Sequence, residues 1–320
     1  MVESNTNEKV DIYKSAIKDL LKDLLDDTNI TFFDENLTGL NSLNPQDKKK
    51  FLIEHAEKLF KKSFWDWDKT ERNYKSDING DSNTISKSVY WILWGDKLQE
   101  LENPKYNYYD FKYENDFSGD SICTFNTLFS SDSIMWFERN NIPLFSVKHY
   151  EHLQCFSFTE LTEINDFRLL YQTLGNFYIL PKRKFGGYTI NTYRGSYKDN
   201  GWKDYFDTFL SNLDNTLQTN YKENNQDEFS KLLNINSFFF DKYKTLGSFL
   251  TLFYLQDFEY YQIDNKHLRS CDYNKNNPEE YKSFALDYIR KSTKCIEKRA
   301  DKLQEAFVEK LENMDESNFK

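Results

Sequence analysis

One stretch, Thr173 to Gly195, constrains the fold more than any other, because only there do glycine, proline, arginine and a β-favouring apolar run converge. Phe177-Tyr178-Ile179-Leu180 reads as a short strand, and Pro181, which has no N–H to give a ladder, marks its end. Gly186-Gly187 marks a tight turn. After it, Tyr188-Thr189-Ile190 is predicted to return as a second strand, with Asn191, Arg194 and Gly195 at its exit. The expectation is a small β-hairpin in an otherwise helical chain. The stretch is also basic: Lys182, Arg183, Lys184, Arg194, Lys198 and Lys203 stand against Asp199 and Asp204, although the whole chain carries a formal charge of -10.

Around this hairpin the periodicity is helical. Ile12, Ala16, Ile17, Leu20, Leu21, Leu24 and Leu25 recur at the spacing of one helix face. Asn44-Pro45 opens a second helix carrying Phe51, Leu52, His55, Ala56, Leu59 and Phe60. A helix is predicted from about Ser86 to Leu101, and another from Thr159 to Leu174 that delivers the chain to Gly175. Asn103 to Asp120 reads as a loop with one or two short strands. Phe125 to Met135 is a further helix candidate. Beyond Gly201, Trp202 to Leu217 is amphipathic, and Phe229 to Phe258 is the densest apolar segment. Pro278 starts a long final helix whose later half is heavily charged, which points to a solvated or partner-facing end.

The predicted fold class is therefore mainly α with a small β-hairpin. Its expected divisions are an N-terminal helical extension (1–63), a core helical domain with the hairpin (64–265) and a C-terminal long helix (266–320). A chain of 320 residues with 28 Phe and 22 Tyr can bury a large aromatic core, with tyrosines at its boundaries keeping their hydroxyls within reach of a partner. Net acidity argues against a general duplex-binding surface, since such affinity comes from cations that neutralise phosphates. Cys123, Cys155, Cys271 and Cys295 form no CxxC pair, so free thiols in a reducing cytoplasm are expected. No apolar run approaches the ~20 residues that span a bilayer, and the first residues lack a secretory pattern. The abundance of Asn, Lys, Asp, Tyr and Phe matches the bias of a low-G+C bacterial genome.

Four constellations could carry chemistry. Asp77 to Asn83 alternates oxygen side chains as a calcium loop does, but Ser82 and Ser88 occupy the positions that such a loop gives to Gly and to a bidentate Glu. Asp66-Trp67-Asp68 would put two carboxylates on one side of a strand, where they could chelate a divalent metal, or would cap a solvated turn. Arg194 beside Gly195 suits a guanidinium fork aimed at a carboxylate or phosphate of a ligand, or at Asp66, Asp68 or Asp132 within the protein. Lastly, Glu151-His152-Leu153, then Leu174-Gly175-Asn176-Phe177, then Asn191 resembles the core of HNH-type nucleases of a restriction-related kind. That resemblance implies His152 as the base that activates water and Asn176 as its orienting group. It places His149 or Glu151 with Asn191 at a metal, Mg or Mn, and Lys182, Arg183, Lys184 and Arg194 on the phosphate backbone.

A broader pattern spans more of the chain. It comprises Asp66-x-Asp68, Tyr90-x-x-x-Trp94-x-x-Lys97-Leu98, Leu128-Phe129-x-Ser131-Asp132-Ser133-Ile134, Leu174-Gly175-Asn176-x-x-x-Leu180-Pro181, Ile190-Asn191-x-x-Arg194-Gly195, and Phe249 to Asp257. In that order, over residues about 64 to 260, it resembles an uncharacterised bacterial family known only as a domain of unknown function. The resemblance implies a cytoplasmic bacterial protein. The functional expectation is a binding or effector module in defence or stress response, with no cofactor, no membrane, and a possible protein partner on the C-terminal helix. The alternative is the metal-dependent nuclease acting on DNA or RNA.

Overall fold

The computed structural model describes residues 12–26, 42–64, 83–102, 106–113, 116–123, 155–195, 206–219, 221–223, 227–258 and 276–320. Among the described residues it is mainly helical with a small two-stranded antiparallel sheet, the fold class that the sequence predicts. Two compact units interleave along the chain. The first comprises Met1–Asp120, Gln172–Arg183 and Arg299–Lys320, and the second Ser121–Tyr171 and Lys184–Lys298.

In the first unit, helix α1 (Lys14–Asp26) buries Ala16, Ile17, Leu20, Leu21 and Leu24, the face its periodicity predicts, and packs on a longer helix, Thr84–Glu102. Between them in sequence come α2 (Pro45–Glu54) and α3 (Ala56–Lys61). Asn44 caps α2, its side chain accepting from the Asp47 N–H, and Pro45 sits in the first turn, where its missing N–H costs nothing. The predicted single helix is thus two, broken at His55, whose Nδ1 lies 2.9 Å from the Phe51 carbonyl oxygen. The helix Thr84–Glu102 is α4. Every residue from Ser88 to Gly95 is buried, so the middle of this helix is enclosed on all sides rather than amphipathic. At its centre the Trp91 indole N–H donates to the Ile12 carbonyl at 2.8 Å. The Trp91 ring also covers Gly95 so closely that a Cβ there would sit 2.8 Å from it.

Short helix α5 (Tyr108–Tyr113) occupies part of the segment predicted as loop. Asn107 accounts for it: its Oδ1 accepts from the N–H of Tyr109 and Asp110, while Asp110 accepts from the Asn107 N–H, so the free donors of the first turn are satisfied locally. Strand β1 (Phe117–Ser121) follows, and its partner is β2 (Phe177–Pro181). All five residues of β2 are buried, as in a strand covered on both faces.

In the second unit, α6 (Phe158–Tyr171) begins at a capping box in which the Ser157 N–H donates to Glu160 and the Glu160 N–H to Ser157 Oγ. It buries Ile164 and Phe167. Helix α7 (Ile190–Gly195) replaces the predicted return strand. Thr189 and Thr192 cap each other, backbone N–H to hydroxyl in both directions at 2.8 and 3.0 Å, and this reciprocal box outweighs the β propensity of Tyr-Thr-Ile. Helix α8 (Phe206–Gln218) follows, burying Phe209, Leu210 and Leu213. The dense apolar segment divides into α9 (Glu228–Ile235), α10 (Ser237–Phe240) and α11 (Leu246–Leu252), with breaks at buried Asn236 and at the N-cap Thr245. Phe239, Phe249 and Phe253 pack there with ring centroids 5.2 to 6.1 Å apart.

The last helix, α12 (Pro278–Glu312), starts with proline in its first turn as predicted, and its residues up to Lys298 belong to the second unit. There Lys282 pairs with Glu160, Arg290 grips both oxygens of Glu163, and the rings of Tyr281 and Tyr288 meet Phe156 and Phe167. Its later residues, in the first unit, do more than face solvent. Ala300, Leu303, Phe307 and Leu311 form a buried stripe at helical spacing, and Phe307 meets Phe60 edge-on. The charges that dominate this half in sequence line the other faces, and Lys61 reaches Asp301 at 2.8 Å. Lys49 satisfies the carbonyls of Glu312 and Met314 at the helix end.

Candidate functional site

The stretch that dominates the sequence consists of two parts with opposite environments. From Gln172 to Pro181 every residue is buried. Leu174–Asn176 forms a 3₁₀ turn against α3, with the Asn176 N–H donating to the Thr173 carbonyl and the Phe64 N–H to that of Gln172. Such a turn leaves carbonyls that cannot be abandoned in a dry interior. Arg299, itself completely buried, supplies a donor: its Nη1 lies 2.7 Å from the Gly175 oxygen and 3.3 Å from that of Leu174, which also accepts from the Phe177 N–H. The guanidinium enters from α12, one turn before Leu303 in the buried stripe.

Beyond Pro181 the chain emerges. Lys182 is half-buried, its N–H donating to Asp116, and Arg183 to Tyr188 are exposed. Within the second unit, Phe185 and Tyr188 exchange both backbone hydrogen bonds at 2.9 Å across Gly186-Gly187, whose φ values are +59° and +90°. A two-residue hairpin turn of this hand needs positive φ at both central positions, which explains the paired glycines; a Cβ at either would meet nothing within 4 Å, so the requirement is conformational and not steric. The predicted turn is thus present as a minimal hairpin. Directly opposed residues project side chains on one face. Phe185 and Tyr188, 36% and 37% exposed, present two rings on it. The ammonium of Lys231 on α9 stands 5.4 Å from the Phe185 ring centre. Behind Tyr188, Tyr193 packs edge-on at 6.4 Å and is itself stacked on buried Phe229 at 5.5 Å, so an aromatic series runs from the turn into the core.

The sequence-predicted site residues fall unevenly on this arrangement. Lys182, Arg183 and Lys184 lead into the turn as a continuous basic run. Asn176 has no exposure at all. Asn191 lies in the first turn of α7, with its Oδ1 buried and without a hydrogen-bond partner among the described residues. Arg194 belongs to α7 by its backbone, while its side chain lies outside the described residues, as do Asp132, His149, Glu151 and His152. The Asp66-x-Asp68 triplet and the Asp77 to Ser82 loop lie outside them as well, while Ser88 is buried in α4, its hydroxyl 2.8 Å from that of Tyr108. Among the described residues no group of three or more His, Cys, Asp or Glu is placed to hold a metal, and Cys123, Cys155 and Cys295 are in no disulfide. Phe185, Tyr188, Lys231 and Arg299 are additions. The aromatic residues flanking Gly-Gly were the available signal for the first two, and an arginine in register with Ile296, Leu303 and Phe307 was the signal for Arg299.

A separate cleft of about 380 Å³ in the second unit is lined by Leu217, Tyr221, Lys222, Phe240, Asp241 and Lys244. Asp241 accepts from the Tyr221 hydroxyl at 2.7 Å and from Lys222 at 2.6 Å. Burial alone would raise the Asp241 carboxyl, but these two donors hold it below the usual carboxylate range. Tyr221, Lys222 and Asp241 are thereby occupied with one another.

A family of unknown function (DUF6994) matches residues 65–303, and the chain belongs to it. No curated protein and no solved structure matches the chain. Among the described residues no helix is long and apolar enough to cross a membrane.

Proposed function

We propose that this member of the DUF6994 family acts by recognition and not by covalent chemistry, as a cytoplasmic bacterial effector of a defence or stress response that takes an anionic partner on its Lys184–Tyr188 turn. The defence setting rests on analogy alone. The observation that carries the reading is an exposed pair of rings beside Lys184 and Lys231, held on a rigid turn, in a chain whose net charge is -10. On such a chain an anion approaches only where cations are gathered.

The nuclease alternative requires Asn176 to orient a water at the scissile phosphate, and an amide with no exposure is better suited to holding a turn than to meeting a substrate. That burial favours recognition. No cofactor belongs to the proposal; Mg or Mn would enter only with the nuclease.

Labelled heparin serves as a probe of anion recognition without sequence or bases. Wild-type protein should bind it at low salt, and Lys184→Glu with Lys231→Glu should weaken binding more than tenfold. Equal binding by the double variant, or none by the wild type, overturns the proposal. Incubation with DNA and RNA plus Mg²⁺ or Mn²⁺ should give no cleavage; cleavage lost in His152→Ala would reinstate the nuclease.

A further inference from the structure

We infer that the anionic partner of the turn is single-stranded nucleic acid, a base stacking on Phe185 while Lys184 and Lys231 hold the adjoining phosphates; the inference rests on the recognition reading above and deepens it. Four observations converge. The first is the rings themselves. Phe185 has no polar atom, so the 36% of it left exposed beside the turn serves no hydrogen bond, and exposed aromatic surface is what an unstacked base uses. The second is Lys231, which stands over the Phe185 ring at 5.4 Å and so fixes that ring beside a cation, the combination that binds a base and its phosphate together.

The third is preorganisation. The reciprocal bonds between Phe185 and Tyr188, with both glycines in the left-handed region, set the backbone, and the packing of Tyr188 on Tyr193 and of Tyr193 on Phe229 sets the second ring. Little conformational freedom is left to lose on binding. The fourth is shape. A duplex keeps its base faces stacked inside, out of reach of a two-residue turn, and offers only edges in its grooves. An acidic peptide would engage the lysines and leave both rings without a role. Single strands present faces and phosphates at once.

The test is fluorescence anisotropy on the full chain with a labelled oligothymidylate of about twelve nucleotides, within the site sizes such surfaces take, against a duplex of the same length and against polyglutamate. The oligothymidylate should bind best. Phe185→Ala and Phe185→Leu should weaken it equally and about tenfold, the scale of one lost stack, with unchanged melting temperature, because leucine keeps the apolar bulk and removes the π-face. Two phosphate contacts predict that log Kd rises with log salt at a slope of about 1.4, at ~0.7 per contact for single strands. Tighter binding of the duplex, or polyglutamate binding equally well with no effect of Phe185→Ala, overturns the inference while the heparin result still supports recognition. Failure to bind oligonucleotide and heparin alike overturns both.

Discussion

Gln172–Pro181 and Arg183–Tyr188 are neighbours in the chain, both rich in the glycine and β-type residues that draw attention in the sequence, yet the first is buried at every position and the second exposed at every position. The two solve the same problem differently. A tight turn always leaves backbone polar groups to be satisfied. The buried turn at Leu174–Asn176 brings in a cation from far along the chain, Arg299, for the Gly175 carbonyl and for that of Leu174, which it shares with the Phe177 N–H. The exposed turn satisfies itself, Phe185 to Tyr188, through glycines that tolerate positive φ. A turn that depends on a distant residue is part of the framework. One that is complete in itself leaves its side chains available for a partner.

The largest expected effect breaks the buried side of that contrast. Arg299→Ala takes this donor from the Gly175 carbonyl and leaves that of Leu174 with the Phe177 N–H alone, and should cost about 3 kcal/mol, at the scale of hydrogen bonds to charged groups plus an unsatisfied acceptor. Arg299→Lys, whose shorter side chain ends before the position of the guanidinium Nη1, should recover little. Urea unfolding measures both, and a loss under about 0.5 kcal/mol, the level of an ordinary surface substitution, would make the turn self-sufficient. Next comes Gly95→Ala, remote from both turns in sequence. It pushes a Cβ to 2.8 Å from the Trp91 ring and should cost roughly 1–3 kcal/mol with a changed near-ultraviolet signal from tryptophan. An unaltered signal would contradict the close approach.

On the exposed side, Gly186→Val forces a β-branched residue into the left-handed region at a strain of roughly 1–2 kcal/mol. Because the turn is self-contained, the damage should stay local: heparin binding should fall while the urea midpoint moves much less than in Arg299→Ala. The smallest effect concerns acid. The hydrogen bonds from Arg290 hold the Glu163 carboxyl below its usual range, against a smaller opposing effect of burial. A carboxylate with a lowered folded-state pKa stabilises above its unfolded value, ~4.3, and that stability is lost as pH falls through the folded value. Glu163→Gln should therefore melt less pH-dependently than wild type below about pH 5, by less than about 1 kcal/mol since the pair is partly exposed. Parallel pH profiles would remove this contribution.

Much of the helical frame was legible because α1, α6 and α12 carry periodic apolar runs and α4 a long apolar one between polar ends. Short helices were not. Helices α5 and α7 are set by Asn107 with Asp110 and by Thr189 with Thr192, pairs of capping side chains that outweigh the aromatic and β-branched residues around them. The pairing of β2 was hidden because its partner, β1, lies far upstream and not across the glycine turn. In the later half of α12, abundant charge masked a stripe only a few residues wide. The basic run Lys182 to Lys184 was visible in composition, whereas the roles of Phe185 and Tyr188 depend on exposure, which no local pattern encodes. Asn176 illustrates the converse: Leu-Gly-Asn fits a catalytic motif and a buried turn equally well, and only its enclosure separates the two.

Hydrogen exchange of the backbone amides, measured with and without oligothymidylate, tests the division between the two turns most directly. Asn176, Tyr178 and Leu180 should exchange slowly, at the rate of global unfolding and with no change on adding ligand. The amides of Lys184, Gly186 and Gly187 should exchange rapidly in the free protein and become protected in the complex. Equal exchange in both segments, or ligand protection that spares Lys184–Gly187, would contradict the account.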